Sequence, residues 1–390
     1  MRNVRGRNAT DALAYFPWEP TPVQLGLIDV SLSAPESIAE RWSSFTARFA
    51  SDTRWIPELD WGTRRLLPLV GWQLAVAGVD DSRAQQVRRD TAGSMWVSRV
   101  RAKGYADVLT VLTDAGVDPL VLKGVGLASL VYPDVGCRPS SDLDVYVGPE
   151  GYQRTFDALA PIGRSVPPGN GSVVPRVRHS RNAVVAGHSV DIHWRLLSDR
   201  YDLTPDEGLR SRSVAFELAD RPVRTLGLED HLVHSLAHGL RPSYVSPVRW
   251  VVDSALIIRT GDLRWDVFSE LVRERRVGSS VARGLTVLRE RFHIEVPSDV
   301  ISELAADDGA LWNRVEDWSR RVHPLWIQRC LSQYVVKYGL GSHNWPLSQK
   351  LRGYGEFISP VYRDWRSRRS SESVAAAAGM AMPHGMEWLS

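Results

Sequence analysis

The chain has 390 residues, 43% of them apolar and 24% charged, with a formal net charge of +3. That length points to two or three modules rather than one core. The composition is that of a soluble globular protein, and the near-balanced charge gives no global field of the kind that marks a nucleic-acid binder. Cys137 and Cys330 are too few for a disulfide framework or a cysteine metal cluster. The N-terminus lacks the apolar run of a signal peptide, and no stretch approaches the ~18 apolar residues of a membrane span. A cytoplasmic protein with no membrane partner is the expectation. The basic residues are nearly all arginine, the only lysines being Lys103, Lys123, Lys337 and Lys350. Coding bias accounts for such a skew.

Residues 1 to about 20 show no periodicity. From Pro22 to Gly116 the pattern is helical: Leu66, Leu69, Val70 and Leu74 recur near the 3.6 period, with Pro68 tolerable in a first turn. Trp96, Val97, Val100, Tyr105, Val108 and Leu112 do the same on a long helix that stops near Ala115–Gly116. Trp42, Trp55, Trp61, Trp72 and Trp96 are expected to build a helical core. Residues 117–225 turn β-rich. A buried strand (Pro119 to Leu122) leads into a Gly turn, a short helix (Leu127 to Tyr132), a looped crossing and a second strand opening on Asp142. A helix (Gly151 to Leu159), a Pro/Gly loop, a hairpin turning at Gly187–His188 and a strand from Pro222 to Leu226 follow. From Glu229 the chain reads as helix again, over 229–240, 248–259, 266–275, 280–291 and 310–320, then as a Trp/Tyr-rich segment and a polar, Ala-rich tail. The expected division is an N-terminal helical module (1–116), a core (117–228), a C-terminal helical module (229–367) and a flexible tail (368–390). The expected fold class is α+β, a small mixed sheet flanked by helices.

Strand alternation carries the functional reading. Asp142 and Asp144 share one face of their strand while Leu143, Val145 and Val147 face the core. In SVDIHWRL, Val190, Ile192 and Trp194 face one way and Asp191, His193 and Arg195 the other. Mg²⁺ takes an oxygen shell built from one or two carboxylates plus substrate phosphates, and a two-metal site wants an aspartate pair with a third carboxylate on a neighbouring strand. Asp142, Asp144 and Asp191 supply that set. In the turn after the first strand, Gly124 and Gly126 allow backbone to approach phosphate and Lys123 adds a point charge. Arg138 and Ser141 either reach phosphate or order the loop.

These residues, Leu122-Lys123-Gly124, Tyr132-Pro133, Arg138-Pro139, Asp142-Leu143-Asp144 and Val190-Asp191-Ile192-His193-Trp194, resemble a bacterial nucleotidyltransferase family often labelled uncharacterised, within the DNA polymerase β-like superfamily. The similarity runs on into LEDHLVHSLAHG and RWVVDSALII, covering about residues 105–260. It implies a nucleoside triphosphate substrate and two Mg²⁺ ions, or Mn²⁺ in their place. The reaction implied is transfer of a nucleoside monophosphate to an acceptor with release of pyrophosphate. The acceptor, whether small molecule, peptide, protein or RNA, is not readable. The chain departs from the broader superfamily in having Lys123-Gly124 where Gly-Ser is usual, with Asp142 eighteen positions after Gly124.

Other readings are weaker. Gly124-x-Gly126-x-x-Ser129 follows a strand, but Pro133 and Pro139 leave too short a helix for a dinucleotide-binding βαβ unit. His231, His234 and His238 lie on one helical stripe, yet lack the Glu a metalloprotease helix places after its first His; a cleft lining or packed interior is expected. Asp253 is expected to accept a hydrogen bond inside the helical module. A catalytically inactive nucleotide-binding scaffold or regulator is the alternative, and its signature, a missing carboxylate, is not found.

Overall fold

A computed structural model describes residues 17–50, 54–163, 179–197, 206–241, 243, 245–306 and 346–351. Among the described residues six helices come first: α1 (Pro22–Leu32), α2 (Pro35–Phe49), α3 (Trp55–Glu58), α4 (Trp61–Arg64), α5 (Leu67–Val76) and α6 (Ser82–Asp114). Their starts are specified locally. Thr21 and Gln24 form a capping box on α1, Asp60 caps α4 and Asp81 caps α6. Pro68 does sit in the first turn of α5, and α6 ends just before Gly116, whose φ is +71°.

The core follows: β1 (Leu120–Val121), α7 (Val125–Val131), β2 (Asp142–Tyr146), α8 (Gly148–Leu159), β3 (Ser180–Val185), β4 (His188–His193), α9 (Leu209–Arg212), β5 (Val214–Leu218) and β6 (Arg221–Thr225). The strands form one mixed sheet in the order β3-β4-β2-β1-β6-β5. β4 runs parallel to β2 and β6 parallel to β1, while the β1–β2, β3–β4 and β5–β6 pairs are antiparallel. After the core come α10 (Leu228–Gly239), α11 (Arg249–Arg259), α12 (Trp265–Glu274), α13 (Gly278–Phe292) and α14 (Ser298–Ala306). The architecture is the expected α+β one. β5 and α14 were not expected from the sequence. The expected helix at 310–320, the Trp/Tyr-rich segment beyond Pro346–Leu351 and the tail lie outside the described residues.

Two apolar clusters sandwich the sheet. One face buries Leu143, Val145, Val190 and Ile192 against α6 and against Tyr152 and Phe156 of α8. The other cluster joins Leu120, Leu122 and Leu127 to the N-terminal helices and to α10–α14. The tryptophan expectation needs correction: Trp42 and Trp55 are buried, but Trp61 and Trp96 are 61% and 63% exposed. On α6 the buried stripe runs instead through Ala84, Val87, Thr91, Ser98, Ala102, Tyr105, Leu109 and Leu112. Its small polar members are tolerated because they satisfy themselves: Thr91 Oγ1 donates to the Val87 carbonyl and Ser98 Oγ to that of Ser94, each at 2.8 Å. Trp96 and Val100 fall off that stripe.

Candidate active site

The site begins where β1 ends. Leu122 N–H donates to the Asp144 carbonyl, which fixes the Lys123–Gly124 turn beside β2. Gly124 has φ +61° and ψ −121°, a backbone state open in practice only to glycine, and a Cβ there would lie 2.8 Å from Ser140 Oγ. Gly126 faces the interior, where a Cβ would meet Thr225 Oγ1 at 2.4 Å. Its close approach is to the sheet.

Parallel pairing sets Asp142 against Ser189, Asp144 against Asp191 and Tyr146 against His193. Paired residues of neighbouring strands point to the same side, so Asp144 and Asp191 lie side by side with His193 next along β4. Ligand atoms of Asp144, Asp191 and His193 all lie within 4.8 Å of one another, and all three residues are buried. Lys123 Nζ stands 3.0 Å from Asp144 Oδ1, and His193 Nε2 is 2.9 Å from Asp191 Oδ2 and 3.5 Å from Asp144 Oδ1. Asp142 is half-buried and outside this trio; its Oδ1 and carbonyl accept from Ser140 Oγ at 3.3 and 2.8 Å.

The charges are strongly interdependent. Asp144, and then burial, push the Asp142 carboxyl up. Burial also presses upward on Asp144 and Asp191, but Lys123 and His193 outweigh it and hold both below the usual carboxylate value. Burial works against a charged His193, yet Asp191 and Asp144 raise it to about 9. Burial, reinforced by the charge of Lys123, holds His234 and His238 well below the ordinary imidazole value, and burial, with the charge of Arg138 added, takes His231 to about 3. His193 is thus cationic at neutral pH and the α10 histidines are neutral. His234 and His238 line a cavity of about 10 Å³ shared with Lys123, Asp191, His193 and His179, room for one water-sized particle. His231 packs against Thr225 Oγ1 at 3.0 Å.

A divalent cation fits this donor set. Asp144 Oδ2 and Asp191 Oδ1 are buried and accept no hydrogen bond among the described residues, and such orphaned oxygens are costly unless something charged meets them. His193 could serve as a ligand only by releasing its proton.

Of the other residues singled out in the sequence, Ser141 is exposed next to the pair. Arg138 is buried, its Nε and Nη2 donating to Asp253 at 2.7 and 2.8 Å, with Nη1 unpartnered among the described residues. Asp253 also accepts from Tyr132 at 2.6 Å. Its donors therefore come from the core, not from the helical module as expected. Burial opposes ionisation of Asp253, but Arg138 holds its pKa below the usual value. Sequence reasoning missed Ser140, although it is the serine that closes on Gly124. It also gave His193 only a supporting role, because its place in the trio depends on which strand β4 pairs with.

Among the described residues no helix is long and apolar enough to cross a membrane. No curated protein and no solved structure gives a significant match to the chain. A sequence profile of the family described as uncharacterised nucleotidyltransferase matches residues 62–293.

Proposed function

Because the chain belongs to the uncharacterised nucleotidyltransferase family, we propose that it is a divalent-metal-dependent enzyme of the cytoplasm. It moves a nucleoside monophosphate from a nucleoside triphosphate to an acceptor and releases pyrophosphate. The observation that carries this reading is the in-register Asp144–Asp191 pair with an unsatisfied buried oxygen on each residue. Asp142, Asp144 and Asp191 would hold Mg²⁺ or Mn²⁺, and the ions would neutralise charge developing on the phosphoryl oxygens.

The chain's own groups do the rest. Asp191 orients the attacking group of the acceptor or takes its proton as the new bond to the α-phosphorus forms. The bond to the bridging oxygen breaks, and the electron pair leaves with pyrophosphate. Lys123, 3.0 Å from Asp144, balances the carboxylate charge and lies where it can follow a phosphate oxygen. Gly124 and Ser141 frame the nucleotide from the turn and the loop before β2, Gly126 lets the turn sit close on the sheet, and Arg138 can offer only its Nη1. The core of residues 117–228 supplies the carboxylates, and the helices after Glu229 cover the cleft and meet the acceptor.

The test is Mn²⁺ binding followed by electron paramagnetic resonance, paired with transfer of label from α-labelled nucleotides to a cell extract. Wild type binds Mn²⁺ and labels a product. Asp144→Asn with Asp191→Asn abolishes the spectrum change and lowers labelling by roughly 10²–10⁴-fold. Mn²⁺ binding unchanged in that double variant would remove the proposed site.

A further inference from the structure

Two arginines by the loop before β2 have no anion matched to them among the described residues. Arg65 caps the C-terminal end of α4 and Arg249 opens α11, and both are half-buried. They lie far apart in sequence but are pinned together. Gly62 lies so close to the chain before α11 that a Cβ on it would fall 2.4 Å from the Ser246 carbonyl oxygen. Gln24 Nε2 ties the same two segments, donating to Thr63 Oγ1 at 2.7 Å and to Ser246 Oγ at 2.9 Å.

Arg249 Nη1 then reaches the Pro139 carbonyl at 2.7 Å, on the loop between Arg138 and Asp142. Among the described residues that is its one side-chain hydrogen bond; Arg65 makes none, and neither arginine forms an ion pair. Arg65 and Arg249 have no carboxylate of their own among the described residues, while Arg138 engages the Asp253 carboxylate with two of its three nitrogens. The third, Nη1, is buried and unpartnered among the described residues.

The positive charges act on one another: burial first, then neighbouring arginines, push Arg65 and Arg249 below the ordinary guanidinium value. The contact of Arg249 with the Pro139 carbonyl sets the cluster on the loop that leads into Asp142, and the charges of Asp142 and Asp144 act on Arg65. Partly buried charge left uncompensated is costly, and guanidinium forks match phosphate oxygens in pairs.

We propose that Arg65, Arg249 and the free Nη1 of Arg138 form an anion subsite for the polyphosphate tail of the substrate nucleotide. The choice of polyphosphate rests on the nucleotidyltransferase reading; the subsite itself rests on the arginines. Two of its three members come from outside residues 117–228, so the triphosphate is gripped only when the helices on both sides of the core are docked. The carboxylates would then stand on one flank of the phosphates and the guanidiniums on the other.

Calorimetry of inorganic tripolyphosphate with the full chain, in excess chelator so that no divalent ion contributes, tests this. Wild type binds it, and Arg65→Met and Arg249→Met each weaken binding roughly tenfold to a hundredfold. Arg65→Lys keeps the charge but not the fork and recovers only part of the loss; it also decides the matter if a Met variant does not fold. Asp144→Asn with Asp191→Asn leaves tripolyphosphate binding intact or tighter. Unchanged affinity in Arg65→Met with Arg249→Met, no binding by wild type, or equal affinity for sulfate would each overturn the proposal. Wild type that binds tripolyphosphate but no Mn²⁺ would strike the metal reading alone and leave this subsite standing.

Discussion

Two clusters of buried charge flank the loop before β2, and they follow opposite rules. At the joint between core and α11, Asp253 is saturated: Oδ1 accepts from Arg138 Nε and the Tyr132 hydroxyl, and Oδ2 from Arg138 Nη2. On the wall formed by β2 and β4, Asp144 and Asp191 are equally buried, yet each keeps an oxygen with no donor among the described residues. Buried carboxylates in a joint are stable because every lone pair that can be met is met. A wall that places ligand atoms of Asp144, Asp191 and His193 within 4.8 Å of one another and leaves them underused is arranged for something that arrives later. Burial alone does not separate the two; hydrogen-bond saturation does.

The sharpest way to break that contrast is to remove a carboxylate from each cluster and compare unfolding in urea. Asp253→Ala strands the Arg138 guanidinium in the interior and should cost about 3–5 kcal/mol. Asp144→Asn with Asp191→Asn forfeits the contacts with Lys123 and His193, but His193 can then shed its proton and no guanidinium is stranded, so metal-free stability should fall by distinctly less. If the wall variant is destabilised as much as the joint variant, the two clusters do not differ in kind.

A smaller effect separates them by pH. Asp253, Asp144 and Asp191 all have depressed pKa values, so each contributes stability above the unfolded value that is lost as pH falls through the folded one. Acid weakens both clusters alike. The alkaline side does not: His193 is raised to about 9, so its contribution is complete below its unfolded value of about 6.5 and disappears as pH rises through about 9. Metal-free wild type should therefore lose on the order of 2–3 kcal/mol relative to His193→Asn between those limits. Parallel stability curves for the two proteins from pH 6 to 10 would show that His193 carries no such charge.

Much of the wall was legible in the sequence because strand alternation is a two-residue rule. It put Asp142 and Asp144 on one face and Asp191 with His193 on another strand's polar face, and the parallel register of β2 and β4 brought those faces together. The arginines were not legible. Arg65 and Arg249 are set by how α4 docks on the chain before α11, through Gly62, Gln24 and Ser246, and no local pattern encodes a contact between residues so far apart. Asp253 was singled out correctly as an acceptor but its donors, Tyr132 and Arg138, lie more than a hundred positions away.

The long helix α6 shows the remaining kind of miss, and it yields the smallest expected effect. Over its 33 residues, about 50 Å, the strongest apolar signal in its middle third is Trp96 with Val100, yet these are 63% and 49% exposed. The packed side there is made of Thr91, Ser98 and Ala102, small residues whose hydroxyls are satisfied by carbonyls one turn back. A helix that must lie close to a neighbour needs small side chains at the contact, and hydropathy alone cannot tell such a contact from a solvated face. Trp96→Ser should therefore shift stability by no more than about 0.5 kcal/mol, whereas Ala102→Leu, which forces bulk into the packed side, should cost about 1–3 kcal/mol. A loss above about 1 kcal/mol for Trp96→Ser in thermal unfolding would mean that the indole, not the small-residue stripe, holds this part of the helix in place.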